Sequence, residues 1–169
     1  MTRGAIRLGG WLGGLLAGVA AAGELPETTV RCGEAGLTAE VAVTSTERAR
    51  GLSGRDRLAP DRGMLFVWPG EEPRRFWMKD TRIPLSVAFL DRRGRILNIH
   101  RMAPPAVTTR FGVPDGGFRR YPSRGPARFA LEANRGWFAA HGIEPGDRCA
   151  FRLAAGVAGA EPLAVGGGS

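Results

Sequence analysis

GMLFVWPGEEPRRFWMKDTRIPLSVAFLD, residues Gly63–Asp91, is the stretch from which the fold is read. Met64 to Trp68 is apolar at every position, as expected of a strand covered on both faces or lining a closed barrel. Pro69 to Pro73 reads as a polar turn. Arg75 to Lys79 reads as the next strand, with Phe76 and Met78 on one face and Arg75, Trp77 and Lys79 on the other. The run closes on a neighbouring cation and anion, Lys79 and Asp80, which marks where the strand leaves the hydrophobic interior. Asp80 to Pro84 then connects to a further apolar strand, Leu85 to Leu90.

Working downstream, Leu85 to Leu90 and Arg95 to Met102 flank Asp91-Arg92-Arg93-Gly94, which predicts a hairpin. A long loop rich in Pro, Gly and Arg follows, from Ala103 to Pro126; loops of that length tend to be either functional lids or disordered. Arg128 to Glu132 is a strand. Asn134 is placed to cap a short helix through Trp137 and His141, ended by Gly142. Pro145-Gly146-Asp147 turns the chain into a last strand, Arg148 to Leu153. Upstream, Thr28 to Cys32 is a short strand. In Leu37 to Thr44, Leu37, Ala39, Val41 and Val43 alternate with Thr38, Glu40 and Thr44, the period of a half-buried strand. Thr44 and Glu47 have capping-box spacing, so a short helix starts there, limited by Gly51 and Gly54. Arg48, Gly51, Leu52 and Arg55 fall on one helical face. The expected fold is mainly β (β-rich α+β): a small antiparallel barrel or strongly curled sheet of roughly six or seven strands with two short helices.

Residues 1–22 are expected to be a signal peptide. Arg3 and Arg7 form a basic start, Trp11 to Val19 an apolar run diluted by glycine, and Ala20-Ala21-Ala22 a small-residue cleavage site. Residues 23–153 then make a single β-rich domain, and 154–169 a flexible tail. Export to the periplasm or the medium follows, with no stable membrane insertion after cleavage. Losing Arg3 and Arg7 lowers the formal net charge from +8 to +6. The remaining cations are scattered and almost all arginine, as in a GC-rich genome, so the charge does not point to nucleic acid. Cys32 and Cys149 lie near opposite ends of the domain, a spacing that suits neither a metal site nor a redox pair. In an oxidising compartment they can fasten the first strand to the last; the alternative is two buried thiols.

The segments ERARGLSGR, GMLFVWP, FWMKDTRIPLSVAFLDRRGRI and ARFALEANRGWFAAHGIEPGD together resemble the family labelled domain of unknown function 192, over roughly Val41 to Phe151. The resemblance implies a compact, β-rich, often exported domain, with no established activity or cofactor. This chain departs from the family pattern at Ser53, where Met is typical, at Asp80, where Asn is common, and at Ser86, where Asp is usual. The stretch from Val107 to Phe118 is longer than the corresponding loop of typical members.

Five residues are candidates for a ligand site: Arg48, Trp77, Lys79, Asp80 and Glu132. Lys79 is the only lysine among 24 cationic residues, which singles out a compact ammonium where every other cation is a guanidinium. Trp77 lies between Arg75 and Lys79 on its strand face. It can stack on a sugar ring beside an anion-holding pair, or pack in the core, the reading favoured here. Asp80 with Thr81 fits an Asx turn in which the carboxylate accepts backbone N–H groups. Glu132 ends an apolar strand and is expected to pair with Arg48 or Arg55, because a buried acid needs a partner. Arg119, Arg120, Tyr121 and Arg124 form a candidate flap. His141 suits a helix C-terminus, and His100 is packed or exposed. No spacing points to a metal, and no glycine stretch resembles a phosphate loop, so no cofactor is expected. The leading expectation is a non-enzymatic binding module for a small anionic or carbohydrate-like ligand. A hydrolase or lyase using Asp80 and Glu132 with Lys79, and a structural accessory protein, are the alternatives.

Overall fold

Leu37, Ala39 and Val41 are buried and Thr38 and Glu40 half-buried, the alternation read from the sequence. In the computed structural model, which describes residues 24–105, 119–154 and 164–165, these residues belong to β2 (Ala35–Ala42). It is preceded by β1 (Glu27–Cys32) and followed by α1 (Ser45–Arg50), β3 (Arg62–Phe76), β4 (Leu85–Leu90), β5 (Ile96–Met102), β6 (Tyr121–Asn134), α2 (Trp137–Ala140), β7 (Cys149–Arg152) and β8 (Ala164–Val165). The strands form one sheet in the order β5-β4-β6-β3-β2-β1-β7-β8. The sheet curls until β5 meets β7. Arg95 bridges Arg148, and the amides of Ile96, Gly146 and Cys149 donate to the carbonyls of Asp147, Ile96 and Gly94. The result is a mainly β, strongly curled sheet with two short helices, as expected.

Both faces of the sheet are apolar. Val30, Leu37, Leu65, Leu90, Phe129 and Phe151 share an inner cluster to which β1, β2, β3, β4, β6 and β7 contribute, and into which α2 inserts Trp137 and Phe138. Phe66, Val87, Phe89 and Ala130 point to the other face, where Leu52, Met78 and Ile83 from the connecting segments cover them. Burial on both sides explains why Met64 to Val67 carries no wettable position.

One pair departs from the antiparallel pattern: β2 and β3 run parallel. A parallel pair needs a crossover rather than a hairpin, and residues 43–61 provide it. The capping box read at Thr44 and Glu47 starts α1 in this crossover, and Gly51, at φ 49°, ends it.

Several expectations are corrected. Pro69 to Pro73 is not a turn between two strands; β3 runs through it, with a register shift between Val67 and Glu72. A bulge accommodates a proline that lacks an N–H to give to the ladder. The strand expected over residues 75–79 ends at Phe76. Tyr121 to Pro126 is not loop but the first half of β6, paired with the far half of β3 through Phe76 and Tyr121; residues 106–118 of that loop lie outside the described residues. Asn134 caps nothing. Its amide donates to the carbonyls of Leu58, Ala59 and Pro60, and α2 starts from Gly136, at φ 86°, without a side-chain cap. The tail contains β8, paired with Phe151 and Arg152. The expected signal peptide lies outside the described residues.

Cys32 and Cys149 face each other across the β1–β7 ladder and form a disulfide, with Cα atoms 4.1 Å apart. The bridge thus fastens β1 to β7.

Candidate functional site

Glu132 sits in β6 between Met64 of β3 and Val87 of β4, in the middle of the sheet. Leu131 and Ala133 turn to the inner cluster, so alternation aims Glu132 at the outer face. The approach of β3 is unusually close there. A Cβ at Gly63 would overlap the Glu132 backbone carbonyl and crowd the Leu37 side chain. Gly63→Ala is therefore expected to cost about 1–3 kcal/mol, as overpacking does, read as a lower urea midpoint.

The Glu132 side chain is 4% exposed, and it forms none of the hydrogen bonds or ion pairs made among the described residues. The partners anticipated for it are engaged elsewhere. Arg55 binds Glu40 through both oxygens, at 2.7 and 2.6 Å. Arg48 donates to the carbonyls of Val43 and Val67, and its guanidinium lies 5.5 Å from the Trp68 ring centre. The expected Glu132–Arg48 or Glu132–Arg55 pair is thus absent. Burial alone pushes the Glu132 carboxyl from 4.5 up to about 8, which makes it a neutral acid at pH 7.

Glu132 lines a cavity of about 110 Å³ together with Arg48, Leu52, Phe66, Phe76, Trp77 and Lys79. Each wall has a local cause. The α1 crossover lays Arg48 and Leu52 over the sheet, alternation along β3 aims Phe66 and Phe76 outward, and the connection after β3 carries Trp77 and Lys79. Phe66 and Phe76 meet edge to face, with ring centres 4.8 Å apart. Arg50 and Arg75 add further cations to the lining, and among the described residues no acid other than Glu132 reaches it. The cavity therefore joins a neutral acid and aromatic walls to a positive lining.

Trp77, read as core, is 42% exposed. With β3 ending one residue earlier, its ring is released from the strand face, and the Arg120 guanidinium stacks 4.0 Å from its centre. Of the candidate flap, this contact ties Arg120 to the site. Arg119 lies over the ring of Tyr121, Tyr121 is buried, and Arg124 belongs to β6, its amide donating to Asn98 Oδ1.

Asp80 does not line the cavity. It has φ 53°, the one non-glycine residue with positive φ among those described. Its backbone carbonyl, not its carboxylate, organises the turn, accepting from the Gly54 amide at 2.9 Å and from Ser53 Oγ at 3.3 Å. Asp tolerates this left-handed conformation better than most residues. His100 Nε2 lies 2.7 Å from the Pro122 carbonyl, and His141 Nδ1 lies 2.8 Å from the Trp137 carbonyl. Neither histidine borders the cavity. Phe66, Phe76, Leu52 and Thr81 were not singled out as site residues. The available signal was the unbroken apolar run from Met64 to Trp68, which required an outer cover and hence an outer cavity.

Comparison with known proteins agrees with this architecture. A protein of Sinorhizobium meliloti 1021, described as a candidate transcription regulator, is 32% identical, with 75% of this chain and 94% of that one covered and a TM-score of 0.65. A protein of unknown function from Novosphingobium aromaticivorans DSM 12444 is 30% identical, with 77% of this chain and 88% of that one covered and a TM-score of 0.62. Curated proteins show no match to this chain. The family described as "Uncharacterized ACR", labelled domain of unknown function 192, matches residues 28–151. With most of the β-rich domain inside that match, the chain belongs to the domain of unknown function 192 family.

Proposed function

We propose that the protein is an exported, non-enzymatic binding module for a small anionic or carbohydrate-like ligand, held in the cavity over Glu132. One observation carries the reading: Arg48, Trp77, Lys79 and Glu132, from three separate parts of the chain, converge on a single cavity. Aromatic walls with a few convergent polar groups are the usual composition of a small-ligand site. Arg48 is held in place by two backbone carbonyls, while Lys79 forms none of the ion pairs made among the described residues, which leaves its ammonium for a ligand. Export draws support from the Cys32–Cys149 disulfide. No helix among the described residues is long and apolar enough to cross a membrane, which is compatible with it.

The hydrolase or lyase reading requires Asp80 and Glu132 to face one cavity, and only Glu132 does, so no observation favours it. A nucleic-acid role, suggested by the description of the Sinorhizobium protein, needs an element that reads a groove. The helices among the described residues have 6 and 4 residues, too short to serve as a recognition helix.

The test is calorimetric titration of the protein with glucuronate, glucose and inorganic phosphate, at low and high salt. At least one probe is expected to bind saturably. Lys79→Ala is expected to weaken an anionic probe about tenfold, the equivalent of one ordinary charge contact, and to leave the melting temperature unchanged. Saturable binding of none of the probes, or unaltered affinity in Lys79→Ala, would count against the module.

A further inference from the structure

Glu132 is placed to do more than line the cavity. Across the sheet it faces Met64 and Val87, and beside it the chamber is walled by Leu52 and Phe66. The charged groups that reach the same chamber are Arg48 and Arg50 from α1, Arg75 from β3 and Lys79 from the following connection; β4 presents only the apolar Val87. All four are cations. An acid surrounded by cations would be expected to pair with one, yet Glu132 takes part in no ion pair among the described residues. Glu132 instead lines the chamber.

An acid with no partner among the described residues, beneath a cationic lining, is complementary to a carboxylate. A carboxylate entering the chamber is drawn in by Arg75 and Lys79, and at the floor it meets a group able to donate O–H. Hydrogen bonds between a carboxylic acid and a carboxylate are charge-assisted and about twice as strong as neutral ones. A cavity of about 150 Å³ accommodates benzene, so the 110 Å³ here takes a carboxylate and the atoms beside it, with the rest of the molecule at the mouth against Trp77. We infer, building on the binding module proposed above, that Glu132 acts as a neutral acid donating a hydrogen bond to a ligand carboxylate, which makes the site select carboxylic acids and release them when Glu132 loses its proton.

The chemistry fixes the sign. When Glu132 ionises, two carboxylates would share an apolar chamber and repel, so carboxylate binding falls as pH rises. A neutral sugar suffers no such repulsion, because an ionised Glu132 still accepts from its hydroxyl groups. Burial sets the transition near pH 8. Lys79 is the other titratable group in the lining, and Lys79→Arg, which stays charged throughout, separates its contribution.

The experiment titrates the protein with glucuronate and with glucose at about pH 6 and about pH 9.5. Glucuronate affinity is expected to fall about tenfold or more across this range in the wild type and in Lys79→Arg, while any glucose binding stays level. In protein labelled with ¹³C at its Glu carboxyl groups, the Glu132 signal, assigned by its loss in Glu132→Gln, is expected to titrate at higher pH once glucuronate is bound, the reciprocal of the same coupling. Glucuronate binding that is level with pH, or a Glu132 titration that stays put or moves down on adding glucuronate, overturns the inference and leaves the binding module standing. If neither sugar binds at either pH, the inference fails, and the module fails with it when inorganic phosphate does not bind either.

Discussion

Glu132→Gln is expected to stabilise the protein by about 4–5 kcal/mol at pH 9 and to change its stability little at pH 4. The unfolded chain releases the Glu132 proton near the ordinary value of 4.5, whereas burial in the folded protein holds that proton up to about 8. Between those values the folded state binds one proton more than the unfolded state, so stability falls as pH rises. The slope is about 1.4 kcal/mol per pH unit, and the loss is complete above about pH 8. Glutamine has nearly the same shape and is neutral throughout, so the variant lacks this decline. Urea denaturation of both proteins from pH 4 to pH 9 checks the claim, because contributions from all other groups cancel in the difference. Glu47 is one of those groups and acts in the opposite direction. The Thr44 and Val43 amides hold its carboxyl below the usual range, so its contribution is present at neutral pH and lost on acidification. Parallel curves for the two proteins would show that Glu132 is hydrated or paired.

Loss of the Cys32–Cys149 bridge is expected to cost about as much. The crosslinked residues are 117 apart in sequence, and closing a loop of that size in the unfolded chain is worth about 4–5 kcal/mol on chain-entropy grounds. Besides the hydrogen bond from Thr28 Oγ1 to the Arg152 carbonyl, little else fastens this part of the sheet. The β1–β7 ladder has just the Arg31–Ala150 and Cys32–Cys149 pairs, and the closure to β5 adds the Arg95–Arg148 bridge and its neighbouring amides. A Cys32→Ala, Cys149→Ala double variant should therefore melt far below the wild type. Dithiothreitol should lower the wild-type midpoint and leave that of the double variant unchanged. A wild type indifferent to reductant would mean that the curled sheet closes without the bridge.

Much of this architecture is legible in local patterns. Period-two alternation locates β2, the Thr44 and Glu47 pair locates the start of α1, and the apolar run from Met64 to Trp68 announces a strand covered twice. The failures share a cause, which is that long-range partners decide what local chemistry leaves open. Pro69 looks like a turn residue until β6 lies alongside and a bulge absorbs it. Asn134 looks like a helix cap until the loop at residues 58–60 arrives to accept its amide. At the site, Arg48, Trp77, Lys79 and Glu132 stand out as residue types, and the curl of the sheet brings them together. That Glu132 has no partner among the described residues is not legible in the sequence. Arg55 has the charge to pair with it, yet the parallel crossover turns it toward Glu40 instead. Asp80 misleads for a related reason: its carboxylate looks chemical, but its place is set by a backbone conformation that few side chains accept.

The hydrogen bond from Thr28 Oγ1 to the Arg152 carbonyl, at 2.7 Å, joins the first and last strands of the domain at one corner. Around the curl, β1 and β7 lie roughly across from β3 and β6, the strands that floor the cavity. Leu25, just ahead of β1, packs against the outer apolar cluster that also holds Phe66 and Leu52, so the start of the domain lies on the cavity side of the sheet.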